Sequence, residues 1–477
     1  MADRPNIVFF LADDLGWRDL TCFGSSFYET PNLDALDAES MHFTDAYAAC
    51  PVCSPTRASI LSGKYPARVG VTDWINWGGG LHPCRGRVVD APYTDHLPLE
   101  ETSLAAALRA GGYATWHVGK WHLGGEDYYP DRHGFDVNIG GCHMGCPTSG
   151  YFAPYHIPTL DDGPDGEYLP ERLATEADRL IREHDDAQPF FLNMWFYLVH
   201  TPIQGLDEKI EKYRKKAERL VLDKQETFEE GEPFPSEHKR DRRVLRRLLQ
   251  SDPVYAAMVE TMDDCVGRIL AALRETGQYD NTVILFTSDN GGLATAEGSP
   301  TCNAPLAEGK GWMYEGGTRE PLTVRWPGVT QPGSRCDVPV TSPDFYPTLL
   351  DIAGLPRRPE QHVDGESLVP LLKGDDGLAR DAIFWHYPHY GNQGGTPGCS
   401  VRMGDYKLIE FFEDGRLELY NLRTDVGETH DLAEADPERT RAMHERLVDW
   451  RDGINALLPE PNRDWDDTVA GAANPES

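Results

Sequence analysis

The residues able to do chemistry fall in a few short clusters. The run Cys53-Ser54-Pro55-Thr56-Arg57-Ala58-Ser59-Ile60-Leu61-Ser62-Gly63-Lys64 sets a thiol two residues before proline and four before arginine, ahead of a helix-like stretch that stops at glycine. That spacing predicts Cys53 at a helix N-terminus with a cation beside it, which favours an anion at position 53. Asp13, Asp14, Asp289 and Asn290 supply hard oxygen donors of the kind that hold Ca²⁺ or Mg²⁺ rather than a thiophilic metal. Taken singly, each of these pairs also reads as a helix cap or a turn. A second reading of the thiol starts from Cys50-Pro51-Val52-Cys53, a C-x-x-C unit suited to redox chemistry or to half of a zinc site with Cys142 and Cys146. Neither cysteine pair carries a matching knuckle sequence, and the redox reading leaves Pro55 and Arg57 without a purpose.

Four apolar, β-type runs deliver polar clusters at their ends. Ile7 to Ala12 stops at Asp13-Asp14, Ala114 to Val118 at Gly119-Lys120-Trp121-His122, Phe190 to Val199 at His200-Thr201-Pro202, and Val283 to Thr287 at Ser288-Asp289-Asn290-Gly291-Gly292. Continuous apolar runs of this length predict strands buried on both faces, as in a parallel sheet covered by helices. Ligands of such sheets sit beyond the carboxyl ends of the strands, so the four clusters are expected to face one crevice. Helical periodicity in Glu101 to Ala110 and Tyr255 to Leu273 completes an α/β pattern. Gly16 and Gly291-Gly292 give the backbone room to turn beside the acids.

Between Leu206 and Gln250 the chain is densely charged, which predicts a solvated helical excursion or, alternatively, a lid over the site. From about residue 371 short strand-like pieces appear, Ser400 to Arg402, Lys407 to Phe412 and Leu417 to Tyr420, the last two flanking Glu413-Asp414-Gly415 as a hairpin. A terminal helix, Pro437 to Asn455, and a loose tail follow. The expected organisation is a catalytic domain over 1–370 and a small α+β domain over 371–477.

With 40% hydrophobic and 26% charged residues among 477, the composition is that of a globular chain, and no apolar run approaches the roughly 20 residues a membrane helix needs. The formal charge of −33 argues against nucleic acid or another long polyanion as partner, so an anionic ligand has to be captured locally by cations inside a pocket. The start Met1-Ala2-Asp3-Arg4-Pro5-Asn6 lacks the basic, apolar and small-residue regions of an export signal, which predicts a cytoplasmic location or a chain already trimmed. Ten cysteines are too sparse for a disulfide scaffold.

The pattern C-x-P-[ST]-R with its following leucine and glycine resembles the signature of the type I, formylglycine-dependent sulfatases of the alkaline phosphatase superfamily. The resemblance runs from Pro5 to about Asp431. It implies an alkaline-phosphatase-like fold: a large mixed, mostly parallel sheet sandwiched by helices, with a smaller C-terminal α+β domain. It implies that Cys53 is oxidised by a maturase to formylglycine, and that one Ca²⁺ per chain is held by Asp13, Asp14, Asp289, Asn290 and the modified Cys53. Gly309-Lys310-Gly311 followed by Glu315-Gly316-Gly317-Thr318-Arg319 resembles the family's lysine and E-G-G-x-R. The implied catalytic set is then Cys53, Arg57, Lys120, His122, His200 and Lys310. In the implied mechanism one oxygen of the hydrated aldehyde attacks sulfur, His200 and Lys310 protonate the leaving oxygen, and His122 helps the second hydroxyl release sulfate. Lys120, Lys310 and the metal would neutralise the sulfate oxygens, and Arg57 would hold the hydrate. A further sulfate contact falls to His143, Thr148 or Ser149.

The stretches His133 to Asp136, Gly150 to Tyr155 and Asp161 to Leu169 resemble bacterial glycan sulfatases, which implies a small sulfated saccharide as substrate, with 4-O-sulfated galactose or N-acetylgalactosamine as the specific expectation. His386 and His389 either line the substrate side of the pocket or belong to a buried aromatic strand. The rival activity within the superfamily is phosphonate or phosphate monoester hydrolysis; the rival outside catalysis is a sulfoglycan-binding protein that kept the fold.

Overall fold

In a computed structural model, residues 4–76, 82–185 and 188–466 are described; Met1 to Asp3 and the tail beyond 466 lie outside them. The strands of the main sheet are β1 (Asn6–Ala12), β2 (Met41–Tyr47), β3 (Ala114–Gly119), β4 (Val137–Ile139), β5 (Phe190–Trp195), β6 (Thr282–Ser288), β7 (Arg319–Arg325), β8 (Ser334–Cys336) and the two-residue β9 (Val340–Thr341). Their order is β8-β2-β7-β6-β1-β5-β3-β4, with β9 also on β2. Only β7 runs antiparallel to its neighbours, so the sheet is mixed and mostly parallel.

The apolar runs form strands because both faces are covered. Val8 and Phe10 of β1 pack toward Met258, Val259 and Met262 of the helix Pro253–Glu275, whereas Ile7, Phe9 and Leu11 pack toward Ile60 and Leu61 of the helix Cys53–Ser62 and Leu349 of the helix Phe345–Ile352. Each such large side chain contributes roughly 1.5–3 kcal/mol by leaving water. The four predicted strands are β1, β3, β5 and β6. They lie side by side and parallel, so their carboxyl ends open on one edge.

One boundary differs. The run beginning at Phe190 stays in the sheet only to Trp195, because Phe196 donates to the Leu11 carbonyl and Leu198 and Val199 exchange backbone hydrogen bonds with Asp13. The apolar segment 196–199 thus wraps over the end of β1 and delivers His200 to the site.

The charged excursion is helical only at first. Asp207–Arg219 packs on the helix Pro253–Glu275, but Phe228–Pro233 and Arg243–Arg247 form an antiparallel hairpin. Cross-strand ion pairs, Arg243 to Glu230 at 2.7 Å and Arg246 to Glu232 at 2.8 Å, replace the apolar alternation that would have marked strands in the sequence.

A second, four-stranded antiparallel sheet contains β10 (Ile383–Tyr387), β11 (Gly398–Met403), β12 (Tyr406–Phe411) and β13 (Leu417–Asn421), with the predicted hairpin as β12 and β13. The helix Pro437–Gly453 covers one face. Its other face joins the first sheet's edge through Trp385 and Tyr387 against Tyr47, Cys50, Val52 and Met313. Tyr47 lies at the end of β2, and Val52 directly precedes Cys53.

Candidate active site

Cys53 is the first residue of a ten-residue helix, preceded by extended Val52 and ended by Gly63 in the left-handed conformation (φ 69°), whose N–H caps the Ser59 carbonyl. Pro55 falls in the first turn, where its missing N–H costs nothing. The thiol is buried and donates toward His122 Nδ1 at 3.2 Å. His122 Nε2 donates to the Ile75 carbonyl at 2.8 Å, which leaves Nδ1 as the acceptor facing position 53. Burial, reinforced by Lys120, holds His122 well below its usual pKa, so it is a neutral base. The expectation of an anion at position 53 is corrected in one respect: burial pushes the thiol pKa up in spite of Lys120 and Lys310. As a thiol Cys53 is not activated, which speaks against redox use. Nor do Cys50, Cys53, Cys142 and Cys146 form a ligand cluster among the described residues.

The acids at the ends of β1 and β6 converge. Lys120 reaches both oxygens of Asp13 at 2.9 and 2.8 Å, Lys310 reaches Asp14 at 2.8 Å, and Arg57 grips Asp289 through Nε and Nη2 at 2.8 and 2.7 Å. Asn290 donates to Asp14 at 2.9 Å. Three carboxyl groups therefore face three cations, all buried, and their formal charges balance when every carboxyl is ionised. Burial raises the Asp13 carboxyl to about 8 despite Lys120, with Asp289 and Asp14 adding to the rise, so this acid is poorly compensated. The Oδ1 of Asn290 is buried with no hydrogen-bond partner. An oxygen donor left orphaned among carboxylates fits a hard divalent cation, and the donor set suits calcium. A divalent ion would bring the cluster to a net charge of about +2, enough to draw an anionic ester locally against the chain's acidic field.

The glycines work here by close approach. A Cβ on Gly291 would lie 1.8 Å from the Gly316 carbonyl, and one on Gly16 would lie 2.3 Å from Asn303 Oδ1. The loops carrying the acids could not pack together with side chains at these positions.

His200 completes the group. Its Nδ1 donates to the Thr201 carbonyl at 2.9 Å, leaving Nε2 to accept from Lys310 at 3.0 Å. Burial and the Lys310 charge bring its pKa to about 3, while Asp14 counters burial at Lys310 and keeps that ammonium charged.

The sequence profile described as Sulfatase matches residues 5–355, and one described as N-sulphoglucosamine sulphohydrolase, C-terminal, matches 308–452. The chain belongs to the sulfatase family. A sulfatase of Formosa agariphila is 32% identical over 91% of this chain and 86% of its own, and human arylsulfatase A is 32% identical over 93% and 87%. Human N-acetylgalactosamine-6-sulfatase is 33% identical over 80% of this chain and 68% of its own. Among solved structures, Ps i-CgsB aligns with a TM-score of 0.75 at 27% identity over 94% and 92% of the two chains, and was also solved in complex with k-i-k-neocarrahexaose. A phosphonate monoester hydrolase of Agrobacterium radiobacter shares the fold, with a TM-score of 0.62 at 21% identity over 96% and 100%. The protein is accordingly a sulfuric ester hydrolase with the alkaline-phosphatase-like architecture.

In this sulfatase Cys53, His122, His200 and Lys310 line a cavity of about 470 Å³. Lys120 and Arg57 do not line it; both are fully buried behind the acids. Arg57 donates to Asp289 and to the Lys120 carbonyl and stacks over Trp195, so its contacts orient a carboxylate rather than the group at position 53. Of the three candidates for a further sulfate contact, His143 and Thr148 line the cavity and Ser149 does not. No residue of 206–250 lines it either. His386 and His389 are buried and do not line it; His386 lies in the buried aromatic strand Ile383–Tyr387, and His389 in the bend that follows. Trp74, Asn76, Glu297, Asn392 and Gln393, which sequence reasoning missed, form its outer wall. The Trp74-Ile75-Asn76 and Asn392-Gln393 stretches pair aromatic and amide groups, but nothing local to them points at a site.

Proposed function

We propose that this sulfatase removes a sulfate monoester from a small saccharide, with formylglycine at position 53 and one calcium ion held by Asp13, Asp14, Asp289 and Asn290. The observation that carries the reading is the meeting, at one cavity floor, of Cys53 with a neutral imidazole on one side and a lysine–imidazole pair on the other. Calcium would supply charge neutralisation on sulfate oxygens and acidify the nucleophilic hydroxyl.

The chain's own groups divide the work. His122 Nδ1, held as acceptor by the Ile75 carbonyl, takes a proton from the group at position 53. Lys310 and His200 are assigned to the departing ester oxygen: Lys310, which carries the charge, gives it a proton, and His200 Nε2, accepting from the same ammonium, orients it. Lys120 and Arg57 fix Asp13 and Asp289, and Lys310 fixes Asp14, so the ligand oxygens need no reorganisation when the ester binds. The outer wall fits a sugar: Trp74 offers a stacking face, and Asn76, Asn392, Gln393 and Glu297 offer donors and acceptors for hydroxyls. The resemblance to galactose-directed glycan sulfatases and the likeness to N-acetylgalactosamine-6-sulfatases support a galacto-configured residue, with the 4-O ester as the specific reading.

Peptide mass spectrometry after co-expression with a maturase tests the nucleophile: conversion of Cys53 lowers the mass by about 18 Da. Turnover of 4-O- and 6-O-sulfated galactose and N-acetylgalactosamine beside 4-nitrophenyl sulfate, phosphate and phosphonate tests the substrate. A preference for the phosphorus esters would replace this reading with the superfamily's other activity.

A further inference from the structure

Behind the outer wall of the cavity lies a second cluster of metal-competent side chains that the sulfatase reaction does not use. Asp73, Asp90 and His389 present ligand atoms within 4.8 Å of one another, and His82 and Cys84 form a second triad with the same Asp90. His82 Nδ1 lies 3.3 Å from Asp73 Oδ2 and 3.7 Å from Asp90 Oδ2; His389 Nδ1 lies 3.8 Å and 3.9 Å from the same two oxygens. All four separations exceed a charge-assisted hydrogen bond, which runs to about 2.9 Å. They approach the edge of a tetrahedron around an ion bound at about 2.0–2.2 Å. Asp73 Oδ2, His82 Nδ1 and His389 Nδ1 are all buried without a hydrogen-bond partner, and Asp73 and His389 are 0% exposed.

The other polar atoms of Asp73, Asp90 and His389 are engaged, whereas His82 Nε2 is buried with no hydrogen-bond partner. Asp73 Oδ1 accepts from Tyr387 Oη at 2.9 Å and from the Trp74 N–H at 2.8 Å. Asp90 accepts from the Cys84 N–H at 2.9 Å and the Tyr390 N–H at 3.0 Å, and His389 Nε2 pairs with Thr72 Oγ1 at 2.8 Å. Such outer partners orient ligands toward a shared centre. Trp74 and Tyr93 pack edge-on against the imidazoles and keep the centre dry. His82, partly exposed, gives an ion its way in.

We infer that Asp73, His82, Asp90 and His389 bind a second metal, a zinc-class divalent ion in a distorted tetrahedral His₂Asp₂ site with a structural role. Two imidazoles select a borderline transition metal over calcium. The ion would join the loop carrying Trp74 and Asn76 to the segment 387–393 carrying Asn392 and Gln393, and so fix the distance between two walls of the sugar pocket.

The test uses the whole chain. Wild-type protein grown with zinc and dialysed against metal-free buffer is expected to retain about one equivalent of zinc by elemental mass spectrometry. Cobalt(II) exchanged into it should give the intense visible bands of tetrahedral coordination. His389→Gln and His82→Gln should each lose those bands, while Asp14→Asn, altered at the other cluster, keeps them. Anomalous scattering at the zinc edge from wild-type crystals should place the ion between Asp73 and His389, a readout independent of how the variants fold. Wild-type protein that takes up neither metal, bands that survive either histidine substitution or vanish in Asp14→Asn, or an anomalous peak elsewhere would each overturn the inference.

Discussion

Lys310 Nζ lies 3.0 Å from His200 Nε2, a lysine and a histidine 110 positions apart in sequence that share one proton path above Asp14. The backbone bond from His200 Nδ1 to Thr201 fixes the tautomer, so the proton on this path belongs to Lys310. Lys310→Ala and His200→Ala are each expected to lower kcat/KM on a saccharide sulfate by about 10²–10⁴. The double variant should lose little more than the worse single one, since the pair acts as a unit. The losses should shrink on 4-nitrophenyl sulfate, whose leaving group needs no proton. Steady-state kinetics on both substrates decides it; fully multiplicative losses would show two independent groups.

Arg57 donates from Nε to Asp289 Oδ2 at 2.8 Å and from Nη1 to the Lys120 carbonyl at 3.0 Å, with Nη2 in ion-pair contact with the same Oδ2 at 2.7 Å. Lysine keeps the charge but cannot reproduce that grip. Arg57→Lys should weaken calcium binding by about 10–100-fold, as loss of a ligand's supporting contact does elsewhere. Calcium titration of EGTA-treated protein measures it. In the wild type, EGTA should abolish turnover and added calcium should restore it.

Trp74 walls the outer cavity and touches none of the reacting groups among its described contacts. Trp74→Ala should raise KM for a saccharide sulfate by roughly 10-fold, the loss of about 1.4 kcal/mol of stacking, and change kcat/KM for the small aryl ester little. Equal effects on both substrates would place the side chain's influence on the reacting centre instead.

Lys407 pairs with two buried acids at the junction of the sheets, Glu315 at 3.0 Å and Glu428 at 3.1 Å, and all three side chains are fully buried. Lys407→Met would leave Glu428 without its cation and Glu315 with Arg319 alone at 3.3 Å. A loss of about 3–5 kcal/mol in unfolding free energy by denaturant titration is expected.

His386 is buried in β10, with Nε2 on the Leu457 carbonyl, and burial lowers its pKa to about 3. A histidine depressed in the folded state favours folding fully above its unfolded pKa of about 6.5, and that contribution is lost as pH falls from there toward 3. His386→Phe should therefore flatten the decline in stability between about pH 6.5 and 4 by up to about 1.4 kcal/mol per pH unit. An unchanged slope would show that other groups carry the acid sensitivity.

The sequence by itself determined the strands and what stands at their ends. A strand buried on both faces has to be largely apolar, so Asp13, Lys120 and Asp289 announce themselves in the polar clusters that close such runs, and parallel pairing brings those ends to one edge. The Cys53 helix was equally legible, because proline and glycine mark its start and stop locally. Tertiary structure alone decided which partners meet. That Arg57 reaches Asp289, that Lys120 sits on Asp13, and that His389 lies against Asp73 and Asp90 are contacts between residues 107 to 316 positions apart. No local pattern encodes contacts of that range; they follow from how the two sheets and their loops pack. The hairpin in 228–247 was hidden for a related reason: its strands are held by charge pairs across the ladder, and a charge pair looks the same in sequence whether it spans a hairpin or a solvated helix.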